Sequence, residues 1–284
     1  MANMMITDHI KKFGDAVIQH GPLSNRIYLM HLGEANPEEI IVFLNKMASQ
    51  QGYTKIIAKI RKKHSAAFIR QGYRIEAAIP LFYQLHDEAV FLGKYLSPER
   101  SKLQQSAQIV AILQLAHSYA SQQAALLSLP EGAHIRECVP GDVEEMSALY
   151  RSVFTTYPFP IHDSDYIGET MRINTRYFGV ELSGRLIAIA SAEMSPAYQN
   201  VEMTDFATDP AWRGHRLALC LLKQMEQEMI LSNIRTAYTI ARALSPSMNI
   251  SFSQRGYHYG GTLPNNTNIA GQIESMNIWY KHLL

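Results

Sequence analysis

The spacing of hydrophobic residues along the chain changes repeatedly between the two-residue period of a strand and the longer period of a helix, which predicts a mixed α/β structure. Within residues 1–100, strands are predicted at 26–32, 53–60, 73–82 and 89–96, and helices at 36–50 and 65–71. The first helix has a well-marked start, because Asn36 is a suitable N-cap, Pro37 follows it, and Glu38 lies in the first turn.

A long helical pattern rich in Gln, Ala and Leu covers residues 99–129. Ile109, Ile112 and Ala116 lie along one side of it, and the Pro-Glu-Gly sequence at 130–132 ends it. We therefore predict an N-terminal domain at 1–98, a connecting helix at 99–132 and a C-terminal domain at 133–284.

The order of elements is clearest after residue 133. Strands are predicted at 134–138, 177–182, 185–194, 201–208, 237–241, 257–263 and 275–284, and helices at 143–154, 166–173, 212–231 and 247–254. Ser183 and Gly184 suit a tight hairpin turn between two of these strands. The two prolines of residues 155–165 predict an irregular loop.

Composition restricts the classes of function. The chain has 284 residues and a formal net charge of +1, without the concentrated positive charge of a nucleic-acid binder. The most hydrophobic stretch, 109–129, contains Gln, Ser and His, and the N-terminus lacks the apolar core of a signal peptide. Cys138 and Cys220 form no metal-ligand spacing. We expect a cytoplasmic protein that binds neither nucleic acid, membrane nor metal.

The strongest local signal lies at residues 201–225, where a strand, a short turn and a long amphipathic helix follow one another. The first N–H groups of such a helix lack intrahelical partners and lie at the positive end of its dipole, so they can bind a pyrophosphate. Gly214 permits close approach of the backbone, and Arg213 and Arg216 can add charged hydrogen bonds. The lysine of an ATP-binding loop is absent from the segment, which argues against nucleotide hydrolysis.

This segment resembles the signature of the GNAT superfamily of acyl-CoA N-acyltransferases, in which Gln or Arg precedes two residues, Gly, one residue and Gly or Ala. Arg213 and Ala218 match it, whereas Arg216 replaces the first glycine. The resemblance implies an α/β (α+β) fold with a mixed, mostly antiparallel sheet flanked by helices, and acetyl-CoA as cosubstrate. The residues that it assigns to acetyl-CoA are Phe206, Ala207, Thr208, Arg213, Gly214, His215, Arg216, Leu217, Ala218, Asn249 and Phe252.

The resemblance also implies how the thioester is held. In the superfamily the strand before the signature bulges away from its neighbour, and pantetheine pairs with the exposed backbone. Here the N–H of Phe206 or Ala207 would stabilise the thioester oxyanion. Phe252 stands where the superfamily often has a general-acid tyrosine. The remaining donors of a proton to the leaving thiolate are Tyr257, Ser251 and water.

An attacking amine must lose a proton, which a carboxylate can accept directly or through water. Glu202 and Asp205 lie on the strand that approaches the predicted bulge. At this spacing they face opposite sides of a regular strand, but a bulge can bring both to one side. We predict Glu202 as the base and Asp205 as the alternative base or an amine-binding residue. The competing interpretation is an exposed pair on a sheet edge.

A narrower resemblance covers most of the chain. The segments EMTDFATDPAWRG, ARALSPSMN and YHYGGTLPNNTNIAGQIESMNIWYKHL are similar to those of the β-lysine N-acetyltransferases. The resemblance implies acetylation of the ε-amine of β-lysine, which produces a zwitterionic osmolyte. It places residues 156–160 over the opening of the substrate pocket. Residues 265–277 would form one wall of that pocket, and the alternative is that they are an ordinary hairpin loop. The residues predicted to bind the acceptor are Tyr157, Arg172, Arg242, Asn265, Asn266, Thr267 and Glu274.

The two halves of the chain show a faint internal similarity. Residues around Gly72 and Gly256 both place a Gly-Tyr pair after a helix and before two strands. We therefore predict that residues 1–98 are a degenerate GNAT-like α/β domain without a phosphate-binding turn. Coincidence is the alternative, because glycine after a helix is common.

Two other functions agree with the same residues. One is an acetyltransferase of another amine, such as a polyamine, lysine or an aminoglycoside, and the other is a non-catalytic acyl-CoA sensor. A small acceptor predicts a closed pocket over Glu202, and a protein acceptor predicts an open groove. The partner expected here is a small amine, and a homodimer is compatible with the sequence.

Overall fold

The computed structural model describes residues 8–120 and 127–283. They form two compact units, each with its own hydrophobic core. The first unit contains the described residues up to Ser106, together with Thr156–Phe159 and Gly260–Met276. The second contains the described residues of Ala107–Thr155, Pro160–Tyr259 and Asn277–Leu284. The chain therefore returns twice to the first unit. The three-part division predicted from the sequence stays a prediction.

Strands and helices alternate through both units. Up to residue 101 they are β1 (His9–Phe13), β2 (Ala16–Gly21), β3 (Arg26–His31), α1 (Pro37–Gln51), β4 (Lys55–Arg61), α2 (Ser65–Arg70), β5 (Arg74–Tyr83), β6 (Asp87–Tyr95) and α3 (Pro98–Ser101). The later elements are α4 (Ser106–Ala120), β7 (His134–Glu137), α5 (Val143–Val153), α6 (Ser164–Ile173), β8 (Thr175–Leu182), β9 (Arg185–Ser195), β10 (Asn200–Thr208), α7 (Leu217–Leu231), β11 (Thr236–Arg242), α8 (Pro246–Gln254), β12 (His258–Ile269) and β13 (Gln272–His282).

The prediction of a single continuous helix at 99–129 is wrong. Helix α3 ends at Ser101 and α4 begins at Ser106. Between them Gln105 adopts a left-handed conformation with φ of +51°, which a continuous α-helix does not contain. Residues 121–126 of the predicted helix lie outside the described residues.

The first unit is built on a sheet in the order β1-β2-β3-β4-β6-β5. Its neighbouring strands are antiparallel except β3 and β4, which are parallel and joined by α1. Helix α1 begins as predicted, because the Asn36 side chain accepts a hydrogen bond from the Glu38 N–H at 2.9 Å. Its buried face, which includes Ile40 and Leu44, packs in the core of this unit.

Buried cations hold the part of β12 that belongs to the first unit. This strand pairs with β5 at Gly261 and Ala77, and beyond that point side chains bind its backbone. Lys55 Nζ lies 2.8 Å from Pro264 O, Arg100 Nε lies 2.7 Å from Asn265 O, and Arg26 Nη1 lies 3.0 Å from Asn266 O. Charged donors satisfy carbonyl groups that burial would otherwise leave without water.

The second unit contains a sheet in the order β13-β11-β10-β9-β8-β7. Strands β7 to β10 pair in antiparallel fashion, whereas β10 and β11 are parallel and are joined by α7. Leu217, Leu221 and Met225 of α7 pack with Val201 and Met203 of β10 in the core of this unit. The predicted fold class, a mixed and mostly antiparallel sheet flanked by helices, is confirmed.

The two units share one chain topology. The order β1-β2-β3-β4-β6 matches β8-β9-β10-β11-β13, and in both series the third and fourth strands are parallel and joined by a helix of 15 residues. Tyr73 packs edge-on against Phe68 at 5.1 Å, and Tyr257 packs edge-on against Phe252 at 5.0 Å. The similarity predicted from the two Gly-Tyr pairs therefore extends to strand order and local packing.

The turns before the two equivalent helices differ. Before α1, the backbone oxygen of Asp15 lies 2.7 Å from the point that a Cβ of Gly33 would occupy. Pro37 has no N–H, and the Asn36 side chain already binds the N–H of Glu38. At Gly214, before α7, no described atom beyond its chain neighbours lies within 4 Å of that point. Of these two turns, that of the second unit is therefore the more open to a phosphate.

Candidate active site

Strand β10 carries the predicted bulge. Its register against β9 shifts between Thr204 and Ala207, so that Asp205 and Phe206 together oppose one residue of β9. Asp205 has φ of +53°, a conformation that few residues other than glycine adopt. On its other side β10 pairs with β11 only at residues 200–202, and beyond them the two strands separate. The bulge and the separation of the strands expected from the resemblance are both confirmed.

The bulge brings two predicted residues to one face of the sheet. Glu202 is the direct register partner of Glu193 on β9, so both side chains lie on the same face. Ser191, two residues before Glu193, donates a hydrogen bond to Asp205 Oδ2 at 2.6 Å. Asp205 therefore reaches the face that carries Glu202, as the prediction required.

Two phenols lie beside these carboxylates. Burial raises the pKa of Tyr166 on α6 and of Tyr177 on β8, and the charges of Asp205 and Glu193 raise both pKa values further. Both side chains therefore stay protonated at neutral pH and can donate hydrogen bonds. Tyr177 also shares a hydrogen bond of 2.8 Å with Thr170 Oγ1.

The sequence analysis did not identify Glu193 or Tyr166. Glu193 had a detectable signal, because Ser191 and Glu193 alternate as polar residues within the otherwise apolar strand β9. Such alternation places both on one face. Tyr166 had no comparable signal, since its position depends on how α6 packs.

The turn between β10 and α7 is exposed and begins with a capped segment. The Asp209 side chain accepts a hydrogen bond from the Ala211 N–H at 2.9 Å. Gly214 has φ of +87°, and the N-cap residue Arg216 has no side-chain capping bond to the helix. The N–H groups of Leu219 and Cys220 already donate to Arg216 O. The first N–H groups of α7 that can bind an anion are therefore those of Leu217 and Ala218. The helix predicted to start at residue 212 begins later, at Leu217.

Comparison with known proteins identifies the family. The model of the "Acetyltransferase (GNAT) family" matches residues 143–249. The chain is 35% identical to "Beta-lysine N(6)-acetyltransferase" of Methanococcus maripaludis over 96% of this chain and 98% of that protein. The chain belongs to the GNAT acetyltransferase family. It is thus an acetyl-CoA-dependent N-acetyltransferase.

Two further relatives are similar to this GNAT enzyme. "N-acetyltransferase YodP" of Bacillus subtilis is 33% identical over 94% of this chain and 96% of its own length. "Beta-lysine N(6)-acetyltransferase" of Methanosarcina mazei is 41% identical over 55% of this chain and 57% of its own length. The match with the Bacillus protein, like the match with the Methanococcus protein, includes both units.

Arg216 departs from the GNAT signature in side chain but keeps the backbone conformation of a glycine. Its φ is +58°, in the left-handed region. A residue with a side chain adopts this region at a cost of about 1–2 kcal/mol. The Arg216 side chain is exposed and lies 3.5 Å from Gln254 Oε1, while the neighbouring His215 ring nitrogen lies 3.2 Å from Trp212 O.

Asn249, which the resemblance assigns to acetyl-CoA, is completely buried in this GNAT unit. Its Nδ2 donates to Arg242 O at 3.0 Å and to Ser245 O at 2.7 Å. Its Oδ1 accepts from Asn277 Nδ2 at 2.8 Å and from Trp279 Nε1 at 2.9 Å. These bonds use both amide hydrogens and both lone pairs, so the side chain joins α8 to β11 and β13.

Tyr257 and Phe252 lie inside the core. Phe252 packs edge-on against Phe206 of the bulge, with 5.8 Å between ring centroids, and Tyr257 packs against Phe252. Burial, followed by the charge of Glu226, holds the pKa of Tyr257 well above its usual range. The phenol is therefore protonated, and its role as general acid stays a prediction.

The residues predicted to bind the acceptor belong to different units. Arg172 and Arg242 lie in the second unit, and the others lie in the first. Residues 265–269 belong to strand β12 and residues 272–277 to β13, so this segment is a β-hairpin with a short turn rather than one long loop. The Asn265 side chain donates to Arg100 O at 2.9 Å and to Lys102 O at 2.7 Å. The roles of these residues in binding stay predictions. The residues predicted from the first unit are Tyr157, Asn265, Asn266, Thr267 and Glu274.

Other reaction chemistries have little support among the described residues. Both cysteines are free and buried, and burial raises the pKa of the Cys138 thiol to about 12 and raises that of Cys220. Neither is therefore a thiolate nucleophile at neutral pH. Within residues 8–120 and 127–283, no cluster of His, Cys, Asp or Glu is arranged to hold a metal, and no helix is long and apolar enough to cross a membrane.

Proposed function

We propose that this enzyme transfers the acetyl group of acetyl-CoA to the N6 amine of β-lysine. The observation that carries the proposal is the similarity to the Methanococcus protein of that name over 98% of its length. The carboxylates of Glu202, Glu193 and Asp205 on one face of β9 and β10 support it, because a cationic acceptor requires negative charge near the reacting group.

The proposed acetyl-CoA site begins at the turn before α7. The N–H groups from Gly214 to Ala218 would bind the pyrophosphate, with Arg213 and Arg216 adding charge. The backbone of residues 206–208, which β11 does not pair with, would bind pantetheine. The N–H of Phe206 or Ala207 would stabilise the oxyanion that forms when the thioester carbonyl is attacked.

In the proposed reaction Glu202 accepts a proton from the N6 ammonium, directly or through water. The neutral amine then attacks the carbonyl carbon of the thioester, a carbon–nitrogen bond forms, and the carbon–sulfur bond breaks. Asp205 is the alternative base. The thiolate that leaves takes a proton from Tyr257, Ser251 or water.

The product explains a biological role that we also propose. β-Lysine carries two ammonium groups and one carboxylate at neutral pH, and acetylation neutralises one ammonium group. The product is a zwitterion without net charge, which suits an osmolyte. In this proposal the second unit is catalytic, and the first is a GNAT-like half that lacks a phosphate-binding turn.

The direct test is acetyl-CoA turnover, followed by thiol release, with β-lysine, lysine, ornithine, spermidine and an aminoglycoside. Selective turnover of β-lysine is expected. Preference for another amine would retain the chemistry and replace the acceptor. Binding of acetyl-CoA without turnover of any of these amines would favour the sensor.

Replacement of Gly214 with alanine tests the acetyl-CoA turn. The φ of +87° disfavours any side chain there, so we expect a higher KM for acetyl-CoA and little change in the KM for the amine. Gly184→Ala is the matched control, because Gly184 also has a positive φ, +76°, and an open Cβ position. An equal KM for acetyl-CoA in both variants would contradict the assignment.

A further inference from the structure

Glu193 occupies an unusual position for a residue of a central strand. The opposite face of β9 is apolar in this region, with Ala188, Ala190 and Ala192 completely buried. Glu193 faces Glu202 directly across the antiparallel pair β9–β10. This register places two carboxyl groups side by side on the face of the sheet that Asp205 also reaches.

The third acidic residue of this face, Asp205, forms a hydrogen bond with a neighbouring serine. Ser191 binds Asp205 Oδ2 at 2.6 Å, which holds this carboxylate at the bulge. Glu202, nearer to the parallel partner β11, is the proposed base. In the acetyl transfer described above Glu193 contributes only negative charge near the reacting group, although it lies opposite the base. A second function for its charge is therefore open.

We propose that Glu193 binds a second ammonium group of the acceptor, which is the 3-amino group when the acceptor is β-lysine. The assignment rests on the proposed function. Facing carboxylates on neighbouring strands have Cβ atoms about 4.5–5.5 Å apart. A short chain of methylene groups separates the two nitrogens of β-lysine, so each ammonium group can lie beside one carboxylate.

Glu193 thereby selects diamino acceptors. A dication between the two carboxylates lowers the repulsion between them when both are ionised. Tyr166 and Tyr177 lie in the field of Glu193 and Asp205, which raises the pKa of both phenols. The carboxyl groups of Glu193 and Glu202 are themselves half-buried, which strengthens their attraction for a cation.

A pair of acceptors isolates the effect of the second ammonium group. 6-Aminohexanoate is β-lysine without the 3-amino group, and its terminal amine is the same. We expect Glu193→Gln to lower kcat/KM for β-lysine by about 10- to 100-fold, the loss of one charged hydrogen bond. The loss of kcat/KM for 6-aminohexanoate should be smaller than that for β-lysine, and the KM for acetyl-CoA should stay at its wild-type value. The ratio of kcat/KM for β-lysine to kcat/KM for 6-aminohexanoate should therefore fall in the variant.

Two further variants serve as controls. Glu169→Gln removes a charge on α6 that also acts on Tyr166 but is exposed, so it should leave the preference for β-lysine unchanged. Glu193→Asp keeps the charge and should recover part of the preference.

The outcomes separate this inference from the function on which it rests. Equal losses with β-lysine and 6-aminohexanoate in Glu193→Gln would overturn the role of Glu193 and leave β-lysine as the acceptor. A wild-type enzyme that does not acetylate β-lysine would overturn the proposed function and this assignment together. An unchanged preference in Glu193→Gln would also overturn the assignment.

Discussion

Replacement of Glu202 with glutamine is expected to lower kcat by about 10²- to 10⁴-fold, the usual contribution of a general base. Glutamine preserves the shape of the side chain but cannot accept the proton of the attacking ammonium group. The KM for acetyl-CoA should not change, because the proposed cosubstrate site lies at the bulge and at the start of α7. Initial rates at saturating acetyl-CoA measure the effect.

The pH profile of the variant tests the reason for the loss. Without a base, only amine that is already neutral reacts, so the rate of Glu202→Gln should rise with pH towards the pKa of a free alkyl amine, about 10.4. Asp205→Asn is the companion variant, since Ser191 holds this carboxylate at 2.6 Å. Wild-type rates in both variants would show that neither residue is the base.

The second large effect concerns stability. Lys55 is completely buried, and its Nζ lies 2.9 Å from the Glu76 carboxylate, whose side chain is 5% exposed. Burial lowers the pKa of Lys55 to about 8, although Glu76 opposes the shift. Lys55→Met removes the partner of a buried carboxylate and the donor to Pro264 O, so we expect a loss of about 3–5 kcal/mol of unfolding free energy. Urea denaturation of the free protein measures it.

A surface pair provides the control for this prediction. Lys62 lies 2.8 Å from Glu88, but the Lys62 side chain is 62% exposed. Lys62→Met should therefore cost less than about 1 kcal/mol. Lys55→Met combined with Glu76→Gln should recover part of the loss, since the second change removes the unpaired charge. A loss for Lys55→Met no larger than that for Lys62→Met would show that the buried pair contributes little.

Local chemistry made several elements predictable from the sequence. Helix α1 follows from Asn36 and Pro37 at its start, and Gly52 ends it with φ of +69°. The hairpin of β8 and β9 follows from Ser183 and Gly184, which have φ of +51° and +76°. Each signal lies within a few neighbouring residues, so no knowledge of distant contacts was needed.

The proposed acetyl-CoA segment, residues 201–225, was predictable for a different reason. A glycine turn between a strand and a long helix also occurs in other folds that bind phosphate groups. Its position before the later strands and helices is what indicated the GNAT family. The bulge at Asp205 followed from that resemblance. The sequence alone did not show that Arg216 would adopt the left-handed conformation of the glycine that it replaces. Residues with a side chain beyond Cα rarely adopt this conformation.

By itself, the sequence indicated the order of the strands and helices that follow residue 25, but not β1, β2 or the break between α3 and α4. It also indicated the glycine turn at Gly214 and the two carboxylates of β10. Only the tertiary structure decided which residues face them. Glu193 opposes Glu202 because of the register of β9 against β10. The side chain of Asn249 uses its hydrogen-bonding groups in bonds that include Arg242 of β11 and Trp279 of β13. Register and burial depend on contacts between residues far apart in the chain, and a local pattern does not contain that information.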